Sequence, residues 1–326
     1  MQHTTTALQP TTGAAPQVYT SREDANRVID AFIAQQPGKD STRYTYRRSL
    51  NQFFKWVYDT GRNLQTLGKA DIVAYLAYML PADEDAANGK SALTASSYLT
   101  AVKLFYKWAA DSLAYPNIAA GVPLPRRAKK FRKEALTPEE AHALLDEVEA
   151  TATTRDTAIV NLLLRNGLRT IEVARANVED LQTKAGRTIL LLKGKGHNER
   201  DDFAIISPKC KAALAAYLAT RPGAKGREPL FTCASHNNQD GRLTTRTISG
   251  LVKQHLRAIG IDDRAYTAHS LRHTCACSLL DATGDLERVR ETLRHSSANT
   301  TRIYTYHTEE RRRLAAAPEL CLDNVF

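Results

Sequence analysis

Thr188-Ile189-Leu190-Leu191-Leu192-Lys193-Gly194-Lys195-Gly196-His197-Asn198-Glu199-Arg200-Asp201-Asp202-Phe203-Ala204-Ile205-Ile206 is the stretch that decides the fold class. Thr188–Leu192 is a short run of β-branched and aliphatic residues, and Asp202–Ile206 resumes it. The segment between them is broken by two glycines. Strand, loose turn, strand is a β-hairpin. Almost everything around it carries helical periodicity, so the chain is mainly α with a small β part. The turn holds two lysines, Lys193 and Lys195. The nucleotide-loop pattern Gly-x4-Gly-Lys-Ser/Thr is absent, so the glycines do not mark a nucleotide phosphate loop.

Upstream, Thr137-Pro138-Glu139-Glu140 reads as a capping box, with Thr137 as N-cap and Glu140 reaching back to it. Ala141, Leu144, Leu145 and Val148 supply the apolar face that follows. Residues 156–176 read as two helices meeting at Asn166-Gly167, and the chain from Lys209 onward is mostly helical. Before this domain lies Pro123-Leu124-Pro125-Arg126-Arg127-Ala128-Lys129-Lys130-Phe131-Arg132-Lys133. Its prolines cannot continue a helix, and its like charges repel one another and keep it extended. Further upstream, Ala25, Val28, Ile29, Phe32 and Ile33 form one apolar stripe. Tyr46, Leu50, Phe53, Phe54 and Val57 form a second, with Gly61 placed to stop that helix. Ile72, Leu76, Met79 and Leu80 form a third, and Val102, Phe105, Trp108 and Ala109 a fourth. The expected organisation is a disordered tail over 1–20, a bundle of four or five helices over 21–120, a basic linker over 121–135 and a mixed α/β domain over 136–326.

The 326 residues suffice for two domains, and hydrophobic residues make up 43% of them. Lys+Arg less Asp+Glu is 45 − 35 = +10, which points to a polyanionic partner, nucleic acid before anionic membrane. On the helices Arg43, Arg47, Arg48 and Lys55 flank the second stripe, and Lys103 and Lys107 the fourth. With Arg126, Arg127, Lys129 and Lys130 of the linker they are candidate contacts to a DNA backbone. No run approaches the roughly 18 apolar residues of a membrane span, and the N-terminus does not read as a signal peptide. Five cysteines argue against a disulfide framework and fit a reducing cytoplasm. His269 and His273 have a ligand spacing, but the glutamate of the zinc-protease motif is replaced by Ser270, and Cys233-x-x-His236 and Cys275-x-Cys277 lack a second pair. No metal or other cofactor is expected.

The remaining distinctive residues suit phosphodiester chemistry without a metal. Arginine forks match the non-bridging oxygens of a phosphate under attack and keep their charge; Arg169 and Arg272 are the candidates, with Glu172 three residues after Arg169 to orient it. A lysine on a mobile turn suits protonation of a leaving oxygen. His269 suits a base or proton shuttle, and His295 a hydrogen-bond donor to the phosphate. Tyr304 and Tyr306 are candidate nucleophiles. An ordinary tyrosine costs about 4 kcal/mol to ionise at pH 7, so it needs a base or a strongly positive surrounding.

In content, order and local spacing these boxes resemble the tyrosine site-specific recombinases, or phage-integrase family, over about residues 21–310. The boxes are Asn166-Gly167-Leu168-Arg169-Thr170-Ile171-Glu172, Gly194-Lys195-Gly196, His269-Ser270-Leu271-Arg272-His273, and Leu293-Arg294-His295 with Tyr304. The resemblance selects Lys195 over Lys193 and Tyr304 over Tyr306. It implies an N-terminal SAM-like core-binding bundle and a catalytic domain that clamp DNA as a C shape. It implies attack by Tyr304 to give a 3′-phosphotyrosine and a free 5′-hydroxyl, then strand exchange through a Holliday junction. Four protomers on two duplexes would trade C-terminal segments, here carrying Leu314, Leu320, Leu322, Val325 and Phe326, with an accessory directionality factor as a further partner. The short N-terminus favours a Xer-like layout, a mobile-element role is slightly favoured over chromosomal resolution, and the expected location is the prokaryotic cytoplasm. A type IB topoisomerase-like relaxase and a non-catalytic DNA-binding protein on the same fold are the alternatives. Two residues depart from the family pattern. Arg294 replaces the usual Gly, adding bulk and charge near the phosphate, and Asn166 stands where Thr is common.

Overall fold

The computed structural model describes residues 22–81, 89–126, 134–193, 200–233 and 241–295. It also describes 301, 304, 305, 308, 309, 312–314, 316 and 317 of the C-terminal stretch. The chain divides into two compact units, Met1–Lys130 and Phe131–Phe326. Lys195, Arg127, Lys129, Lys130, Tyr306, His236, Leu320, Leu322, Val325 and Phe326 lie outside the described residues.

In the first unit, helices α1 (Arg22–Gln35), α2 (Asp40–Asp59), α3 (Lys69–Met79) and α4 (Ala92–Leu113) carry the four apolar stripes. The stripes meet in one core, where Phe32, Leu50, Phe53, Val57, Ile72, Tyr75, Leu99, Val102 and Phe105 are all fully buried. Phe53 makes edge contacts with Phe54, Tyr75 and Tyr106, with ring centroids 5.0–6.1 Å apart. Such pairs each add about 0.5–1.5 kcal/mol beyond area burial. Ser91 caps α4 by accepting the Thr94 N–H at 3.2 Å. Lys103, one of the expected DNA contacts, donates its ammonium to the Val122 carbonyl at 2.6 Å and fastens the segment after α4.

The second unit opens on α5 (Pro138–Thr151) with the capping box read from the sequence. The Thr137 N–H donates to Glu140 Oε2 at 2.8 Å, and the Glu140 N–H to Thr137 Oγ1 at 3.2 Å. Helices α6 (Thr154–Arg165) and α7 (Thr170–Arg175) follow, then strands β1 (Leu181–Lys184), β2 (Arg187–Leu192) and β3 (Asp202–Ile205). Helices α8 (Pro208–Ala219), α9 (Thr245–Ala258), α10 (Ala268–Thr283) and α11 (Leu286–Leu293) complete the described elements. Helix α6 is the central post. It packs against α5, α8 and α10, and its Ile159, Leu162 and Leu163 are fully buried.

The β part is larger than the sequence suggests. The strands form an antiparallel sheet in the order β1-β2-β3, with Leu181 opposite Leu190 and Leu190 opposite Ala204. Strand β1 has no periodicity to betray it, because Leu181 is only half-buried and the next three residues are exposed. Its turn is Ala185-Gly186, both at positive φ (47° and 73°). That is the geometry of a two-residue hairpin, which usually carries Asn-Gly or Asp-Gly. An alanine in the first position hides the signal.

Candidate active site

The site is assembled from chain segments far apart in sequence. Helix α6 ends at Arg165, and Gly167 turns the chain at φ 58°. A side chain there would meet Leu293 Cδ2 at 2.5 Å and Cys275 Sγ at 3.1 Å, so only glycine lets α6, α10 and α11 approach this closely. Arg169 then stands at the N-terminus of α7, where Glu172 reaches back to its N–H at 2.7 Å and to its Nη1 at 2.7 Å. Arg169 Nη2 also donates to the Arg294 carbonyl at 3.3 Å, across 125 residues of sequence. Asn166 donates to the Ile205 carbonyl at 2.6 Å and so ties this turn to β3.

Arg272 projects from α10 and is 1% exposed. Its guanidinium donates to the carbonyls of Gly167 and Leu293, and its Nη1 lies 4.0 Å from Glu172 Oε2. Burial, with Arg169 beside it, draws its pKa down to about 10 while Glu172 pulls the other way; it stays charged at neutral pH. Glu172 is the hub. Burial alone would raise its pKa, but Arg294, the Arg169 N–H, Arg272 and Arg169 together hold it below the ordinary value.

Arg294 sits at the C-terminal end of α11 with φ 54°, in the left-handed region. The usual glycine of this position suits that backbone. The sequence puts the bulk and charge of Arg294 near the phosphate. Its guanidinium turns inward to Glu172, with Nη2 3.2 Å from Oε2.

His295 follows, buried, with Nδ1 3.0 Å from Thr301 Oγ1. Burial, and then Arg272, Arg169, Arg294 and His269, push its pKa down to about 4, so it is neutral at pH 7. Tyr304 is 2% exposed and helical, and its ring stacks on His295 (centroids 5.9 Å apart) and meets His273 edge-on at 5.2 Å. Its ionisation calls for a base or a strongly positive surrounding. Burial raises its pKa, and the opposing pull of Arg272 and Arg169 does not offset that. His269 is exposed in the first turn of α10, 4.7 Å from His273 between ring centroids.

Arg169, Glu172, Arg272, His295 and Tyr304 are thus brought together, and His269 adjoins them through His273. The sequence reading missed the contacts of His273 and Thr301 with this group. The four-residue step from His269 to His273 along one helix face, which is also a metal-ligand spacing, is the signal the sequence offers for His273. The sequence reading also missed Arg242, whose Nη1 donates to the Ala174 and Ala176 carbonyls and whose Nη2 donates to Asn177 Oδ1, bracing the end of α7. Among the described residues no group of three His, Cys, Asp or Glu side chains is placed to hold a metal ion, and no helix is long and apolar enough to cross a membrane.

Comparison with known proteins fits this arrangement. A family model described as the phage integrase family matches residues 134–311, more than half of the chain. The chain belongs to the phage integrase family. A second model, the phage integrase N-terminal SAM-like domain, matches residues 33–112 of this family member. The tyrosine recombinase XerC of Rhodospirillum centenum is 31% identical over 309 residues, covering 90% of this chain and 87% of that protein. The tyrosine recombinase XerD of Mycobacterium leprae is 30% identical, covering 86% and 91%. The fold is shared with XerH bound to a palindromic difH substrate in a post-cleavage complex (TM-score 0.67, 19% identity, 90% of this chain and 96% of that one). It is also shared with a lambda integrase tetramer bound to a Holliday junction (TM-score 0.64, 16% identity, 86% and 76%). This phage-integrase protein is a tyrosine recombinase, an enzyme that cleaves and rejoins DNA.

On the first unit of this recombinase, Arg48, Lys107 and Arg126 are exposed. Arg43 lies 3.8 Å from Asp40 and donates to the Gln36 carbonyl, and Arg47 pairs with Asp30. Lys55 pairs with Asp59. These acids partly neutralise the basic face inferred from the sequence.

Proposed function

We propose that this protein is a site-specific recombinase of the Xer type, with double-stranded DNA as substrate. In this reading Arg169 and Arg272 hold the non-bridging oxygens of the scissile phosphate, and His295 donates a hydrogen bond to it. The Tyr304 oxygen attacks phosphorus and passes its proton to His269. The phosphorus–O5′ bond breaks, and Lys195 protonates the departing 5′-oxygen. The product is a 3′-phosphotyrosine and a free 5′-hydroxyl, and attack by the 5′-hydroxyl of a partner strand reverses the step through a Holliday junction. The ester conserves the bond energy, so the reaction needs neither ATP nor metal.

What supports this most is the convergence of Arg169 and Arg272 on one buried carboxylate, with His295 and Tyr304 stacked on each other within the electrostatic reach of both arginines. The raised pKa of Tyr304 fits a nucleophile that needs a base, since the free site does not ionise it. Four protomers exchanging C-terminal segments on two duplexes is the assembly we infer; the 73% exposure of Leu314 agrees with a segment that docks on another copy. The mobile-element role slightly favoured by the sequence draws no support from these relatives, which are XerC and XerD proteins. The preferred role is therefore resolution between paired sites.

The test begins by selecting bound duplexes from sheared genomic DNA. Nicked suicide duplexes are then made from the enriched sequence. An SDS-resistant protein–DNA adduct in EDTA is the expected result, and adduct formation that requires magnesium would overturn the reading. Relaxation of supercoils by a monomer at no preferred site would point to a swivelling enzyme instead.

A further inference from the structure

The residue at 294 is an arginine in a place that strains it. Its φ of 54° costs a side-chain-bearing residue more than it costs glycine, and strain of this kind persists where surrounding contacts fix it, often at functional sites. The side chain is 7% exposed and points into the cluster. Nη1 donates to the Thr292 carbonyl at 2.6 Å and Nη2 to Glu172 at 3.2 Å. Nε is buried and, among the described residues, meets no acceptor. A buried N–H left without an acceptor is unfavourable, and the acceptor it lacks is an oxygen, preferably an anionic one.

Arg294 is one of several partners of Glu172. The carboxylate already accepts from the Arg169 N–H and Nη1, with Arg272 4.0 Å away. Three guanidiniums and one carboxylate carry +2, and with glycine at 294 the same site would carry +1. A phosphodiester carries one negative charge, and the five-coordinate species formed by attack carries two. The extra charge therefore complements the transition state more than the ground state, which is the condition for raising a rate rather than an affinity.

We propose that Arg294 is a third phosphate-directed guanidinium of this active site, resting on Glu172 in this structure and acting on a non-bridging oxygen of the scissile phosphate as Tyr304 attacks. This rests on the recombinase reading above and adds to it a residue that the family pattern does not supply.

The experiment uses the full-length protein, a nicked suicide duplex, and single-turnover cleavage measured beside DNA affinity. R294G is expected to cleave about 10- to 100-fold more slowly, with affinity within about threefold of the native protein. R294K shares the backbone strain and the charge but lacks the fork. It is expected to fall between the two, and it serves as the test protein if R294G does not fold. Each protein is then given a duplex whose scissile phosphate carries a methyl group in place of one non-bridging oxygen. That linkage is neutral and gains less from an added cation, so the gap between native protein and variant should shrink toward unity. A variant that cleaves the ordinary duplex at the native rate, or an equal gap on both linkages, would overturn the inference and leave the recombinase reading standing. Absence of any adduct from the native protein would bring down the reading itself, and the inference with it.

Discussion

Gly167→Ala is the sharpest perturbation of the site, because it adds one methyl group without removing a functional atom. The new Cβ would lie 2.5 Å from Leu293 Cδ2, closer than real contacts come, and 3.1 Å from Cys275 Sγ, tighter than most of them. Overpacking of this kind costs about 1–3 kcal/mol, and an alanine at positive φ adds about 1–2 kcal/mol. Together the unit spanning residues 131–326 should lose about 2–5 kcal/mol, a fall in Tm on the order of 10 °C for a domain of that size. Activity should fall further than stability, because the Gly167 carbonyl accepts from Arg272 and any backbone shift moves that guanidinium. The assay pairs thermal unfolding with single-turnover adduct formation at a temperature where the variant is folded. Leu293→Ala supplies the control. It removes the atom that clashes, so Gly167→Ala should cost about 1–3 kcal/mol less in that background, leaving chiefly the backbone term. If Gly167→Ala melts within about 0.5 kcal/mol of the native protein, a change ordinary for a surface position, the close approach of α6, α10 and α11 is refuted.

Tyr304→Phe should retain the ring packing against His273 and His295, stay within about 1 kcal/mol of native stability, and form no covalent adduct by denaturing gel electrophoresis. Glu172→Gln should cost about 3–5 kcal/mol by urea unfolding, because it leaves Arg272 buried without its counter-charge. His295, with its pKa held near 4 in the fold against about 6.5 unfolded, binds fewer protons when folded across that window. Its contribution to stability is therefore complete above pH 6.5 and is lost as pH falls toward 4, by at most about 3 kcal/mol. Unfolding at stepped pH should show this loss in the native protein and a shallower one in His295→Gln.

Helical stripes such as Tyr46 to Val57 were legible because one face repeats every three to four residues and meets a single core. The capping box at Thr137 was legible because its three signals lie within four residues. Strand β1 was not, since an edge strand with one half-buried leucine has no alternation to read. The chemical residues could be listed from their boxes, but their relations could not. Nothing local says that Glu172 would face Arg294, since that contact depends on where α11 ends. Nor does local sequence say that Tyr304 would be buried deeply enough for desolvation to outweigh two arginines. The basic residues of the first unit show the same limit, since nothing local says that the Lys103 ammonium would donate to the Val122 carbonyl.

The burial of Tyr304 has a consequence for the genome that houses this enzyme. A protein carrying a ready phenolate would be a hazard at every stretch of duplex it touched, since each collision would risk a nick. Here the phenol lies against two imidazoles with its proton held more firmly than in water. On the mechanism proposed above, bystander DNA is spared until a base takes that proton.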